Sequence, residues 1–181
     1  MRAVRDVAVH RDPDGASERV TSLAFGEEVS VVETHGEWAR VVAPEQPTHL
    51  DPVGYPGWVR RDALADDDPL SVARSFLGTA YLWGGLGRAG IDCSGLVHLC
   101  FRATGQRVPR DAADQAAAAT PVAEPRVGDL WFFGRPDQLV GHVGFVTEAG
   151  MLHASPDRGV VDEAMPEERR ATLLGAGRLL P

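Results

Sequence analysis

The residues that could carry covalent chemistry begin with a cysteine placed where a glycine-rich loop enters a predicted helix. Residues 81–97 read YLWGGLGRAGIDCSGLV, and apolar positions continue the helical pattern from Cys93 to Gly105. A thiolate in the first turn of a helix meets the positive end of the helix dipole, and its pKa can fall from ~8.5 to roughly 3.5–7.5. The backbone N–H groups there can also receive an oxyanion. The pattern predicts that Cys93 is a nucleophile.

Two histidines follow at a spacing that suits a base and its orienting partner. His142 begins one predicted strand and His153 lies in the next, with the turn predicted at Glu148 and Ala149. In that register position 142 faces 155, so His153 is a same-face diagonal neighbour at roughly 7–8 Å between Cα atoms. We expect His142 to accept the thiol proton and His153 to hold the imidazole of His142 in the required tautomer.

Other interpretations of these residues stay open. Cys93 could be an inert buried thiol. Cys100 lies seven residues further along the helix, a rise of ~10.5 Å that exceeds the ~7 Å Cα limit for a disulfide, so we expect a core residue. Zinc ligation by Cys93, His98, Cys100, His142 and His153 fits no structural-zinc spacing. We therefore predict no metal and no cofactor.

Composition limits the class of partner. The chain has 181 residues, 44% hydrophobic and 24% charged, which is ordinary for a folded globular protein. Its formal net charge of -8 argues against nucleic acid and against an anionic membrane surface. No segment approaches the ~20 apolar residues of a membrane span, and residues 1–10 lack the apolar run of a secretory signal. The expectations are a cytoplasmic location and a small-molecule partner.

The chain divides by its patterns into two predicted domains. Residues 1–66 contain short apolar runs separated by turn signals, which favours a small all-β barrel of about five strands. A helix begins at Pro69, and strands are predicted at 129–133, 142–147 and 151–154. Helices followed by an antiparallel sheet indicate an α+β fold for residues 67–181.

The motifs of residues 70–160 resemble those of NlpC-type cell-wall cysteine peptidases, the NlpC/p60 family. The matching segments, in order, are YLWGG at 81–85, DCSGLV at 92–97, VPRD at 108–111 with Gln115, GDLWFF at 128–133, HVG at 142–144 and HA at 153–154. The N-terminal unit resembles the bacterial SH3-like domain that precedes such catalytic domains in γ-D-glutamyl-diamino acid endopeptidases. That resemblance rests on SE at 17–18, FGE at 25–27 and GYPGWV at 54–59.

The resemblance implies a papain-like α+β catalytic domain preceded by an SH3-like (SH3b) barrel. It implies a cysteine peptidase that cleaves the bond between γ-D-Glu and a diamino acid, meso-diaminopimelate or Lys, in murein peptides. Cys93 would be the nucleophile, His142 the base and His153 the third polar residue. Tyr81 would lie beside the cleft and contribute to the oxyanion site or to substrate contacts.

The same resemblance implies a pocket for the free amine of an N-terminal L-Ala. Asp92 and Ser94 would bind that amine, and Glu18 and Tyr55 of the SH3-like domain would close the pocket. A carboxylate beside the nucleophile would raise the thiol pKa, so a substrate ammonium that neutralises Asp92 makes chemical sense. Asp92 could equally be the helix N-cap. Arg110, with Asp111 and Gln115, is expected to serve a turn and a helix start.

The leading hypothesis is therefore an endopeptidase of murein-peptide recycling whose substrate is L-Ala-γ-D-Glu-diamino acid. One alternative is a catalytically inactive module that binds a wall component or another ligand. The other is an amidase or acyltransferase that applies the same Cys-His-His chemistry to a different substrate.

Overall fold

The computed structural model of the chain describes residues 1–135 and 137–179. It separates into two compact units, Met1–Val72 and Ala73–Pro181. Within the described residues, no helix has both the length and the apolar character needed to cross a membrane.

The N-terminal unit is built from short strands, as the turn-separated apolar runs predict. Its elements are β1 (Arg2–Ala3), β2 (Val7–His10), β3 (Arg19–Leu23), β4 (Ser30–His35), β5 (Trp38–Ala43), β6 (Tyr55–Arg60), a 3-10 turn (Arg61–Ala63) and β7 (Leu64–Ala65). Five of the strands form an antiparallel sheet in the order β3-β2-β6-β5-β4, and β1 pairs with β7. The all-β prediction is confirmed, but the sheet is open between β3 and β4 rather than a closed barrel.

Small β-branched and alanine side chains fill the core of this unit. In β5 the side chains of Ala39, Val41 and Ala43 alternate inward and are at most 1% exposed. They pack with Val9 and Val59 from the adjoining strands. Alternate burial along a strand is expected where a sheet buries one face against the core and exposes the other.

The helix α1 (Pro69–Arg74) begins at the predicted proline. The Asp68 carboxylate accepts a hydrogen bond from the backbone N–H of Ser71 at 2.8 Å, which caps the first turn. The helix ends at Arg74, and Gly78, with φ of +80°, follows it.

The C-terminal unit packs helices on an antiparallel sheet, which confirms the α+β prediction. Its elements are β8 (Leu86–Gly87), β9 (Gly90–Ile91), α2 (Cys93–Ala103), α3 (Ala112–Ala118), β10 (Thr120–Val122), β11 (Leu130–Phe133), β12 (His142–Val146), β13 (Met151–Ser155), β14 (Gly159–Glu163), α4 (Glu167–Arg170) and β15 (Leu173–Arg178). The large sheet has the order β10-β15-β11-β12-β13-β14, and β8 pairs with β9.

Helix α2 lies against β12 and β13, the two strands that carry the predicted histidines. Its apolar side is buried, and the ring of Phe101 stacks on that of Phe145 in β12 with a centroid distance of 6.1 Å. Cys100 is fully buried in this core, as predicted, and is a thiol rather than half of a disulfide. The packing holds the start of α2 in place beside the start of β12.

Candidate active site

Cys93 is the first residue of α2, and two backbone groups hydrogen-bond to its sulfur. Asp92 is the N-cap and accepts a hydrogen bond from the backbone N–H of Gly95 at 2.7 Å. The groups bonded to the sulfur of Cys93 are the backbone N–H of Ser94, from the same helix turn, and that of Val143. Val143 follows His142 directly, so the strand of the predicted base starts beside the thiol.

The thiol pKa differs from the sequence expectation. Burial raises the pKa of Cys93, whose exposed fraction is 5%, and the negative charge of Asp92 raises it further. The backbone hydrogen bonds from Val143 and Ser94 oppose this shift but do not outweigh it. The lowered pKa expected from the helix terminus alone is therefore wrong for the free protein. Burial destabilises the thiolate more than the helix end stabilises it. Cys93 needs a neighbouring base.

Alkylation kinetics test whether the pKa of the Cys93 thiol is raised. We expect the rate of Cys93 modification by iodoacetamide to rise with pH and to show its inflection above the ~8.5 of an ordinary thiol, because burial disfavours the thiolate. The measurement is the pH profile of mass-detected labelling. A Cys93→Ser variant is the control, since its remaining Cys100 is fully buried. A labelling rate that is already maximal at pH 6 would contradict the raised pKa.

Three side chains on adjacent strands form a hydrogen-bonded series. The Nε2 of His142 lies 2.8 Å from the Nδ1 of His153, and the Nε2 of His153 lies 3.0 Å from an Oε1 of Glu163. Burial lowers the pKa of His142 to about 2, and it also lowers that of His153. Both imidazoles are therefore neutral near pH 7.

The series fixes both tautomers. Burial opposes ionisation of Glu163, but hydrogen bonds from His153 and Arg158 outweigh it and lower the pKa, so the carboxylate is ionised. It accepts the Nε2–H of His153, whose Nδ1 then accepts the Nε2–H of His142. This leaves the Nδ1 lone pair of His142 available to take a proton.

The predicted hairpin register is confirmed, and it explains how the histidines meet. Phe145 pairs with Leu152 and Val146 with Met151, so position 142 faces 155 as expected. Gly144 lies directly opposite His153 in this register, and a Cβ on Gly144 would come within 2.9 Å of the His153 Cβ. Because glycine has no side chain, position 144 leaves space for the side chain of His153.

Glu163 was not among the sequence-predicted residues. It lies on β14, which pairs with β13 so that His153 faces Val161. Glu163 is thus the same-face diagonal neighbour of His153, in the relation that His153 has to His142. The signal was present in the sequence as a turn at Pro156 to Gly159 followed by two β-branched residues.

Asp92 is held by an arginine that the sequence interpretation assigned to a turn. The guanidinium of Arg110 donates to Oδ1 at 2.9 Å and to Oδ2 at 2.8 Å, and the backbone N–H of Gly84 adds a bond to Oδ2 at 2.7 Å. Burial alone would raise the pKa of Asp92, but these bonds, led by Arg110, lower it. As expected, Arg110 lies in the bend before α3, whose N-cap is Asp111, but its guanidinium also gives Asp92 a neutralising cation from the protein itself.

Gly95 allows this arrangement. A Cβ at this position would meet the carbonyl oxygen of Gly85 at 2.5 Å and the Oδ1 of Asp92 at 2.8 Å. The N-cap prediction for Asp92 is confirmed by the Gly95 bond. A substrate ammonium would share Asp92 with Arg110, so the role of Asp92 in amine binding stays a prediction.

The other predicted residues of this unit lie near the thiol. The Ser94 hydroxyl is buried and accepts a hydrogen bond from Arg110 at 2.9 Å. Burial raises the pKa of the Tyr81 phenol, and the charges of Cys93 and Asp92 add to the shift, which places Tyr81 in their electrostatic reach. Gln115 is fully buried and donates to the carbonyl oxygens of Ser94 and Pro109, each at 2.9 Å.

A cleft of about 510 Å³ opens at Cys93. Asp92, Ser94 and Arg110 contribute polar groups to its wall. Trp83 and Leu139 also line it and are 80% and 82% exposed, so apolar surface is available to an extended ligand.

Glu18 and Tyr55 belong to the N-terminal unit. Glu18 forms an exposed ion pair with Arg11 at 2.6 Å. Tyr55 starts β6 and lines a cavity of about 360 Å³ together with Arg40 and Trp58. Their assignment to an amine pocket stays a prediction.

A buried thiol at a helix start is hydrogen-bonded to the strand that carries an imidazole, and a second imidazole and a carboxylate fix the tautomer of that imidazole. This arrangement defines a cysteine hydrolase. Residues 78–172 match the NlpC/P60 family, and residues 9–64 match the bacterial dipeptidyl-peptidase Sh3 domain. The chain belongs to the NlpC/P60 family of cysteine peptidases.

Individual relatives agree with this. The chain is 27% identical to the gamma-D-glutamyl-L-lysine dipeptidyl-peptidase of Bacillus subtilis (strain 168), over 77% of this chain and 73% of the relative. A crystal structure of an NlpC/P60 family protein from Bacillus cereus superposes with a TM-score of 0.59 at 23% identity, covering 89% of this chain and 82% of the other. RipD of Mycobacterium tuberculosis, described as a non-catalytic NlpC/p60 domain protein, gives a TM-score of 0.53 at 20% identity, over 63% of this chain and 96% of RipD.

Proposed function

We propose that the protein hydrolyses the amide bond between the γ-carboxyl group of D-Glu and the amino group of a diamino acid in murein peptides. The observation that carries this proposal is the Cys93–His142–His153 set in an NlpC/P60 domain. The name of the Bacillus subtilis relative, which the chain matches over most of its length, supports the substrate class.

The geometry supports a two-step acyl transfer. The thiol proton of Cys93 moves to Nδ1 of His142 as the sulfur attacks the γ-carbonyl carbon of D-Glu. Backbone N–H groups at the start of α2, with Tyr81 nearby, stabilise the oxyanion. The His142 imidazolium then donates its proton to the leaving amino group, the C–N bond breaks, and a thioester remains. Water, activated by His142, hydrolyses the thioester and restores the thiol.

Cys93 and His142 are both neutral before the reaction, so the proton moves between them as the sulfur attacks. The thiol pKa is raised and the imidazole pKa is lowered, so the free protein holds a thiol and a neutral imidazole rather than an ion pair. His153 and Glu163 stabilise the imidazolium while it exists, because the Nε2–H of His142 then meets a hydrogen-bonded acceptor.

The proposal includes recognition of a free N-terminal L-Ala. Its support is the sequence resemblance, which assigns Asp92, Ser94, Glu18 and Tyr55 to the amine. The wall of the cleft supplies Asp92 and Ser94. A cytoplasmic location and a role in murein-peptide recycling follow from that specificity and stay predictions.

The direct test uses L-Ala-γ-D-Glu-L-Lys and its meso-diaminopimelate counterpart. We expect release of L-Ala-D-Glu from at least one of them, detected by chromatography with mass analysis. N-acetylation of the L-Ala is expected to suppress cleavage. If neither tripeptide is cut, the proposed activity is wrong, whereas equal cleavage of the acetylated peptide removes only the free-amine specificity.

The alternatives give different products. An inactive module, as RipD is described, releases nothing from any peptide, and the retention of Cys93, His142 and His153 here argues against that outcome. An amidase or acyltransferase with another substrate leaves both tripeptides intact but modifies Cys93 with its own acyl donor. A thioester trapped on Cys93 in a brief reaction with either peptide would support the peptidase and contradict both alternatives.

Glu163 gives a testable prediction about positioning. Glu163→Ala should lower kcat by about 10- to 100-fold with little change in KM, because the tautomer of His153 loses its acceptor. Glu163→Gln should recover part of that loss, since an amide oxygen still accepts the Nε2–H. The pH profile of kcat is the diagnostic readout, and its acidic limb should move in Glu163→Ala.

Asp162 supplies the matched control. Its Oδ1 accepts a hydrogen bond from the Thr147 hydroxyl at 2.7 Å, on the sheet and away from the histidine series, so Asp162→Asn should leave kcat within about threefold. Equal losses in the two variants, or an unshifted pH profile in Glu163→Ala, would show that Glu163 merely supports the sheet.

A further inference from the structure

A second cavity borders one of the catalytic histidines, His153. It has a volume of about 470 Å³ and is lined by His153 and by residues of the segment Ser155–Arg169. The cleft at Cys93 and this cavity share no lining residue, yet each one borders a member of the catalytic set. The substrate of an endopeptidase continues on both sides of the scissile bond. One cavity could therefore bind the part before that bond and the other the part after it.

The proton transfer to the leaving group indicates which cavity binds which part of the substrate. The general acid must meet the leaving amino group, so the residue that leaves lies on the histidine side of the bond. His142 donates that proton from Nδ1, and Arg169, a wall residue of the cavity beside His153, acts electrostatically on both His142 and Cys93. We therefore take this cavity as the one on the leaving side and call it the leaving-side cavity. The cleft at Cys93 is left for the acyl part of the substrate.

The charged groups of the leaving-side cavity are of both signs. Arg158 is paired with Glu163, which also binds His153. Among the described residues, no ion pair involves Arg169, which is half-buried in the wall. Asp157 and Glu168, both exposed, line the same cavity. The cavity thus presents a guanidinium and two carboxylates that have no ion pair within the described part of the chain.

Arg169 is also close to the reacting groups. Its positive charge lowers the pKa of Cys93, of His142 and of His153 alongside the larger effect of burial on each. A group that acts on all three residues lies within reach of a ligand bound between them.

We propose that the leaving-side cavity binds the free end of the diamino acid, with Arg169 pairing to a carboxylate and Asp157 and Glu168 to an ammonium. This inference rests on the proposed function. meso-Diaminopimelate ends its side chain in a carbon that carries both groups, whereas lysine ends in an ammonium alone. The cavity therefore favours a dicarboxylic diamino acid, although the Bacillus relatives are named for L-lysine.

The experiment compares two tripeptides, L-Ala-γ-D-Glu-meso-diaminopimelate and L-Ala-γ-D-Glu-L-Lys, both prepared with the α-carboxyl group of the last residue as its amide. They then differ only in the side-chain carboxylate. We expect Arg169→Gln to lower the ratio of kcat/KM for the diaminopimelate peptide to kcat/KM for the lysine peptide by about 10- to 100-fold, the effect of a lost charge-assisted hydrogen bond. Any effect of the Arg169 charge on the catalytic residues is common to both peptides and cancels in this ratio.

Arg170 is the matched control on the same short helix. It is exposed, pairs with Glu167 and does not line the cavity. Arg170→Gln removes the same formal charge and should leave both values of kcat/KM within about threefold. Thermal unfolding of both variants checks the fold.

The outcomes separate the two proposals. If the wild-type protein cuts neither peptide, the proposed function is wrong. If it cuts them and Arg169→Gln lowers both values equally, or lowers neither, the proposed function stands and the assignment of Arg169 to the side-chain carboxylate is overturned.

Discussion

Replacing Cys93 by alanine should abolish release of L-Ala-D-Glu from the murein tripeptide, with a loss of at least about 10⁴-fold in kcat. The sulfur of Cys93 is the atom that bonds to the acyl carbon. The hydroxyl of the neighbouring Ser94 cannot replace it, because that hydroxyl is engaged by Arg110 and Asp92 rather than by an imidazole. The measurement is product release under saturating substrate over several hours.

Cys100→Ala is the control for this variant. Cys100 is in the same helix, is fully buried and lies two turns from the cleft. It should lose stability by about 1 kcal/mol, as a shortened core side chain does, and keep its kcat. Substantial activity in Cys93→Ala, or equal losses in the two variants, would contradict the nucleophile assignment.

The hairpin that joins the histidines could be predicted from sequence because its determinants are local. Apolar residues alternate along β12 and β13, and the turn residues between them fix a register in which a one-residue slip would carry every side chain to the other face of the sheet. The position of His153 relative to His142 follows from that register alone. The start of α2 at Cys93 is local in the same sense, since Asp92 caps it.

The residues missed by sequence interpretation differ in how far they lie from their partners. Glu163 is joined to His153 by the short β13–β14 hairpin, whose turn is visible in the sequence, so it could have been found in the way that His153 was. Arg110 reaches Asp92 from a loop 18 positions away, and no spacing in the sequence marks that contact. The pKa of Cys93 is missed for the same reason, because the helix end is visible in sequence but the packing that buries the thiol is tertiary.

The Asp92–Arg110 pair gives the second large effect, on stability. Arg110→Met should lower the free energy of unfolding by roughly 2–4 kcal/mol, somewhat below the cost of breaking a fully buried pair, because the Arg110 side chain is 30% exposed and that of Asp92 is 8% exposed. The loss arises from the carboxylate that remains enclosed without its cation. Urea unfolding at pH 7 measures it.

The pH dependence of this loss has a definite sign. The folded pKa of Asp92 lies below its unfolded value in the wild type, so the pair stabilises the fold above the unfolded pKa of ~3.9 and that contribution fades as pH falls through the folded pKa. In Arg110→Met the enclosed carboxyl instead gains by protonation. The difference between the two proteins should therefore shrink as pH falls from 7 toward 4.

A second arginine separates the effect on stability from the effect on the thiol. Arg178 makes a bidentate pair with the buried Asp129, at 2.7 and 3.0 Å, and neither charge is among the main influences on the pKa of Cys93. Arg178→Met should destabilise the fold and leave iodoacetamide labelling of Cys93 unchanged. Arg110→Met should also move the labelling inflection to higher pH, because the charge of Asp92 then acts on the thiol uncompensated.

The double variant Asp92→Asn/Arg110→Met completes the cycle. With the carboxylate removed, it should regain part of the stability lost in Arg110→Met and return the labelling inflection toward lower pH, since no uncompensated charge remains beside the sulfur. The amide oxygen introduced by Asp92→Asn can still cap the helix through the Gly95 N–H. If the double variant is no more stable than Arg110→Met, the arginine stabilises the loop by packing and not by neutralising Asp92.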